Sequence, residues 1–84
     1  MNKIEEKVIE LGRKHTDQSI NVNSNIKKDL LMDSLSFISF IVSLENYYNF
    51  SLDEKLEELI NRDKDISVSD IVNMIEGMVK SNEE

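Results

Sequence analysis

Apolar residues recur at helical intervals in three stretches of this chain. Over 2–15, Ile4, Val8 and Leu11 share one face, and Glu5, Glu6, Lys7, Glu10, Arg13 and Lys14 fill the others. That pattern predicts an amphipathic helix. His15 carries the stripe one turn further, where a partly buried side chain near the terminal carbonyls is expected. Over 34–48 the helical pattern has two stripes. Phe37, Phe40, Ile41, Leu44 and Tyr48 make a core face; Leu35, Ile38 and Val42 lie on an adjacent face, with Ser36, Ser39 and Ser43 between them. A helix apolar over more than half its girth is either central in a bundle or offers one face to a partner. Over 67–79, Val68, Ile71, Val72, Ile75, Met78 and Val79 form one continuous face. Ser67 and Asp70 stand at capping-box spacing at its start, with Asp in place of Glu. Gly77 should loosen the last turn, and 81–84 should fray.

The segments between follow other rules. Residues 16–33 are rich in Asn, Ser and Asp, but Ile20, Val22, Ile26, Leu30 and Leu31 should pin them to the core as an ordered loop. Tyr48, Phe50 and Leu52 alternate, so the chain should leave the second helix extended. Residues 53–62 are acidic, with Leu56, Leu59 and Ile60 predicting a short helix. The chain has no Pro and only two Gly, so little interrupts these periodicities. The expected architecture is all-α: one domain over 1–84, built as a bundle of three main helices plus one short helix.

Composition removes several classes of function. With 84 residues, 17 acidic and 10 basic side chains, the net charge is −7. An acidic chain without a basic stripe is a poor nucleic-acid binder. No Cys is present, which excludes disulfides, thiolate metal sites and thiol nucleophiles. His15 is the lone histidine, which leaves little for a catalytic triad or a His-rich metal site. No apolar run approaches the roughly 20 residues of a membrane span, and 1–10 lack a signal-peptide apolar block. A soluble cytoplasmic monomer that is not an enzyme is expected.

Two sites of apparent chemistry dissolve on inspection. Asp63-x-Asp65-x-Ser67 begins like a calcium loop, but Val68 stands where the loop needs Gly and Met74 where it needs Glu. The carboxylates of Asp53, Glu54, Glu57 and Glu58 read as a solvated face. The remaining candidate is Asp33-Ser34-Leu35, where the long loop meets the most apolar helix. Ser34 can be a helix cap that accepts a backbone N–H. For the tripeptide taken alone the cap is the preferred reading; the functional alternative is a phosphoester on Ser34, because a helix N-terminus favours negative charge and presents the hydroxyl to a modifying enzyme.

The surrounding segment, Ser24-Asn25-Ile26-Lys27-Lys28-Asp29-Leu30-Leu31-Met32-Asp33-Ser34-Leu35, resembles the stretch around the prosthetic-group serine of acyl carrier proteins. There a Ser/Thr-x-apolar stretch leads into Asp-Leu-Gly-x-Asp-Ser-Leu. The similarity continues through Leu44-Glu45, Tyr48, the extended Phe50-Ser51-Leu52, an acidic short helix and a Ser-Val-x-Asp helix start. The resemblance implies a four-helix acyl-carrier-like bundle with phosphopantetheine attached to Ser34. It implies a carrier of acyl thioesters for fatty-acid, polyketide or related biosynthesis. It also implies a phosphopantetheinyl transferase and acyl-loading and acyl-processing enzymes as partners, with Asp33 helping to dock the transferase. Leu35, Ile38 and Val42 would then be partner-facing. The alternatives are a peptidyl or aminoacyl carrier, or an acidic helical adaptor that binds a protein through Leu35, Ile38 and Val42. Several positions depart from the family pattern. Leu31 replaces the usual Gly, which predicts a more tightly packed turn before Ser34. Ser36, Ser39 and Asn46 stand where many members carry acids, and Leu52-Asp53 replaces a frequent Ile-Pro. The stretch from Asp53 to Ile66 is slightly long.

Overall fold

The computed structural model describes residues 3–52, 58 and 66–82. Among them are three α-helices: α1 (Lys3–Gly12), α2 (Ser34–Tyr48) and α3 (Val68–Asn82), with a single 3-10 turn, Arg13–His15, after α1. The all-α expectation holds for these residues. Their one β-type pairing is an isolated antiparallel bridge between Asn25 and Ser67. The predicted short helix over 53–62 lies outside the described residues, apart from Glu58, which is helical and exposed.

The buried face of α1 is turned from the one expected. Val8, Ile9 and Gly12 are buried, while Ile4 and Leu11 are only partly so. Gly12 is the reason. A Cβ there would sit 2.7 Å from Ile20 Cδ1 and 3.4 Å from Phe40 Cζ. The missing side chain lets the loop and α2 close over α1, which swings the contact line towards Ile9. A glycine contributes nothing to an apolar pattern, so the stripe alone could not show this.

α2 divides much as its two stripes suggest. Phe37, Phe40, Ile41 and Leu44 are buried, whereas Leu35 and Val42 are exposed. Tyr48 is half-buried and stacks on Phe50. The helix stops at Asn49, a residue type that tolerates the left-handed conformation it adopts (φ 58°), with its N–H donating to the Glu45 carbonyl (2.8 Å). Glu45 Oε2 then accepts from the Leu52 N–H (2.8 Å), which fixes the exit of the chain and seats Leu52 in the core.

α3 begins on the expected capping box. Ser67 N–H donates to Asp70 Oδ2 (3.0 Å) and Asp70 N–H donates to Ser67 Oγ (3.3 Å). The helix continues to Asn82, so Gly77 lies within it. Val68, Ile71, Val72 and Ile75 are buried, and α1 packs against both α2 and α3.

The long loop is held as firmly as the helices. Ile26 N–H donates to the Ile66 carbonyl, Val68 N–H to Ser24 and Ser69 N–H to Val22, each at 2.9 Å. Asn25 Oδ1 accepts from the N–H groups of Lys27 and Lys28, and Asn25 N–H donates to Asp29 Oδ2. The apolar anchors are Ile26, Leu30 and Met32, with Ile20 and Val22 partly buried. Leu31 is no anchor: it is 66% exposed. The radius of gyration, 11.8 Å, matches the roughly 12 Å expected of a compact chain of this length.

Candidate functional site around Ser34

Ser34 is the first residue of α2, and its cap is supplied by the residue before it. Asp33 is extended (φ −82°, ψ −178°), and its Oδ1 accepts from the Ser36 N–H (2.8 Å). Its carbonyl accepts from the Phe37 N–H (2.9 Å). The Ser36 backbone N–H, aided by the Ser36 hydroxyl, holds the Asp33 carboxyl below its ordinary value. Ser34 is therefore not the cap. Its side chain is exposed, and no hydrogen bond engages its hydroxyl among the described residues.

Beside Ser34 lies a pocket of about 150 Å³. Ile26, Met32, Phe37, Ile38 and Ile66 give it apolar walls, and Lys27, Asp33 and Ser34 complete its lining. The loop anchors and the core stripe of α2 thus meet at this serine. Ile38, grouped by the sequence with Leu35 and Val42, faces this pocket and is half-buried. The second stripe splits accordingly: Leu35 is 76% and Val42 42% exposed, and Ile38 belongs partly to the cavity wall.

The next residues of α2, Leu35 and Ser36, border the turn after α1. Arg13, Lys14, Thr16 and Asp17 share a shallow recess with Leu35 and Ser36. Thr16 Oγ1 donates to the Leu30 carbonyl (2.7 Å), which ties this turn to the loop that enters α2. His15 sits where the stripe placed it, half-buried. Its Nε2 lies 3.1 Å from Ser43 Oγ, and its ring centroid is 6.1 Å from that of Phe40. Ser43 Oγ donates to the Ser39 carbonyl (3.0 Å), so the imidazole has a structural role as a clamp between the turn and α2.

Leu31 differs most from expectation. The turn does not pack more tightly around it: the residue has φ 55° and projects into solvent. Glycine adopts that backbone freely, whereas a leucine Cβ crowds the following carbonyl. The signal was present in the sequence, as a Leu at the Gly position of the resembled motif. Two further features could not be read there. Glu45, the single carboxylate of α2, is turned back to the Leu52 N–H. Lys27 lies against the same pocket as Ser34.

No group of three or more His, Cys, Asp and Glu side chains positioned to hold a metal ion occurs among the described residues. Nor is any helix among them long and apolar enough to cross a membrane. Comparison with models of protein families, with curated proteins and with solved structures finds no match.

Proposed function

We propose that this chain is a cytoplasmic carrier protein of the acyl-carrier type, a four-helix bundle that bears phosphopantetheine on Ser34. The observation that carries the proposal is the division of labour at the start of α2. Asp33 does the capping, and the Ser34 hydroxyl stays exposed beside an apolar pocket, engaged by none of the described residues. A serine needed only to start the helix would take the bond that Asp33 takes.

The residues present fit a phosphoester at this position. The hydroxyl is accessible to a transferase and sits at the positive end of the helix dipole. The Asp33 carboxylate next to it is turned onto the Ser36 N–H, which lessens its repulsion of a second anion. Lys27, in the lining shared with Ser34, supplies positive charge on the same side. When bound, the group supplies a flexible arm and a terminal thiol that holds an acyl or aminoacyl cargo as a thioester.

The chain's own residues then act by placement. Ser34 fixes the point of attachment, and the Asp33 cap fixes the direction in which α2 starts. Thr16 and His15 brace the turn against the loop and α2. Tethering raises the local concentration of cargo at each partner's active site, and the catalytic groups belong to those partners. Ile26, Met32, Phe37 and Ile66 offer an apolar refuge comparable in volume to cavities that admit a benzene-sized group.

The exposure of Leu35 and Val42 favours a second reading, an acidic helical adaptor that binds another protein through this face without any modification. Coexpression with a broad-specificity phosphopantetheinyl transferase separates the two. The carrier gains one phosphopantetheine by intact mass and the Ser34→Ala variant gains none. An unmodified wild-type chain favours the adaptor.

A further inference from the structure

The pocket beside Ser34 is small and closely held. Its volume is about 150 Å³, and Ile26, Met32, Phe37 and Ile66 in its walls are all buried. Backbone bonds tie these walls to one another. Ile26 N–H donates to the Ile66 carbonyl (2.9 Å), and Met32 N–H donates to the Ile26 carbonyl (3.1 Å). Ile26, Ile38 and Ile66 are β-branched and stiff at χ1, so Met32 is the wall with most freedom to move. Further along the core stripe of α2, Phe40, Ile41 and Leu44 are fully buried and line no part of the pocket. A close-packed core of that kind gives the pocket no room to deepen.

Lys27 and Asp33, both exposed, carry opposite charges in the lining, so the mouth favours neither an anion nor a cation. The buried walls are hydrocarbon and thioether, and an ionised group among them would lose its water without gaining a partner. A cavity of roughly this volume with Leu, Ile and Phe walls admits benzene, so about six carbons fill it. Ser34 belongs to the same lining, so whatever it tethers is held beside the opening at high local concentration.

We propose that this pocket is a binding site for an uncharged apolar tail of no more than about six carbons. Resting on the carrier reading, the cargo of Ser34 then belongs to that class: a short acyl group with no charge at its far end. Longer chains leave their remaining carbons in water and gain nothing from them. Acyl groups that end in a carboxylate are shut out by the cost of stripping water from the charge.

The first arm of the experiment titrates the unmodified, isotope-labelled chain with straight-chain primary alcohols from propanol to octanol, with the methyl shifts of Ile26, Met32, Ile38 and Ile66 as the readout. Affinity should rise about fourfold per added carbon up to hexanol, as burial of one methylene predicts, and level off beyond it. Adipate, charged at both ends, should bind at least about tenfold more weakly than hexanol. Ile38→Ala trims a half-buried wall and should move the break to about eight carbons. Phe37→Leu, which keeps an apolar residue in the core stripe, serves as a second variant with the same expected direction. The second arm loads Ser34 from butyryl-, hexanoyl- and octanoyl-coenzyme A with a phosphopantetheinyl transferase. The melting temperature should climb from butyryl to hexanoyl and stay level to octanoyl. A rise that continues to eight carbons in either arm, shifts centred elsewhere, adipate binding as tightly as hexanol, or an unmoved break in whichever variant folds would each overturn the proposal. Hexanol binding by a chain that takes no arm would sink the carrier reading, and with it the cargo assignment, while the pocket stands. A loaded chain without shifts in the pocket would sink the pocket and leave the carrier reading.

Discussion

At the start of α2, neighbouring residues divide duties that the sequence leaves together. Asp33 and Ser34 are both good cap residues, and either can accept a helix N–H. The extended backbone at Asp33 decides between them, because it aims that carboxylate at the Ser36 N–H. The bond draws the Asp33 carboxyl below its ordinary value of 3.8, so the folded chain binds this proton less readily than the unfolded one. The stabilisation is therefore present in full above that ordinary value. It is lost as pH falls through the lower value of the folded state. Asp33→Ala should lower the melting temperature at about pH 7, and the gap to wild type should narrow at about pH 3. Asp33→Asn, a neutral cap, should keep much of the wild-type stability at neutral pH. Thermal melts at the two pH values check this, and an equal gap at both would show that the carboxylate's charge has no part in capping.

Helix by helix, the apolar periodicity was a good guide to which stretches coil and a poorer one to which way they face. α2 shows where it worked. Leu44 lies in the core stripe and is fully buried, while Val42 lies in the second and is 42% exposed. Leu44→Ala should cost about 2–5 kcal/mol of stability, the usual range for a buried leucine. Val42→Ala should change stability by less than about 0.5 kcal/mol, as exposed substitutions do. Chemical denaturation of both variants checks the division, and a Val42→Ala loss comparable to that of Leu44→Ala would place the second stripe in the core.

The glycines show where periodicity fell short. α3 runs five residues past Gly77, and among the described residues nothing outside the adjoining stretch of helix lies within 4 Å of where its Cβ would be. Gly77→Ala should therefore stabilise the chain by about 0.5–1 kcal/mol through helix propensity alone. Gly12→Ala has the same propensity gain, but its Cβ would displace Ile20 and press on the fully buried Phe40. It should be clearly less stable than Gly77→Ala in parallel melts, and equal stability of the two would mean that α1, α2 and the loop do not meet closely at Gly12.

For the molecule as a whole, the all-α character of the described residues could be read from the chain because it rests on local signals. The helical stripes, the Ser67–Asp70 capping box and the Asp33-Ser34-Leu35 junction all lie within a few residues of each other in sequence. Long-range outcomes could not be read in this way. The pairing of Asn25 with Ser67, the return of Glu45 to Leu52 and the exposure of Leu31 depend on segments meeting after the chain has folded. These meetings decide the character of the site. They bring Ile26 and Ile66 to the pocket beside Ser34 and turn the one carboxylate of α2 back onto the Leu52 N–H. The central claim is that the serine at this junction exists to be modified. Its most direct test is the intact mass of the purified chain after incubation with coenzyme A and a phosphopantetheinyl transferase, beside Ser34→Ala and a carrier that the same enzyme is known to modify. A carrier built on Ser34 gains a single phosphopantetheine, fragmentation locates it on that residue, and the variant stays unchanged. An unaltered wild-type mass with several transferases that modify the control, or addition to the Ser34→Ala chain, would contradict the account.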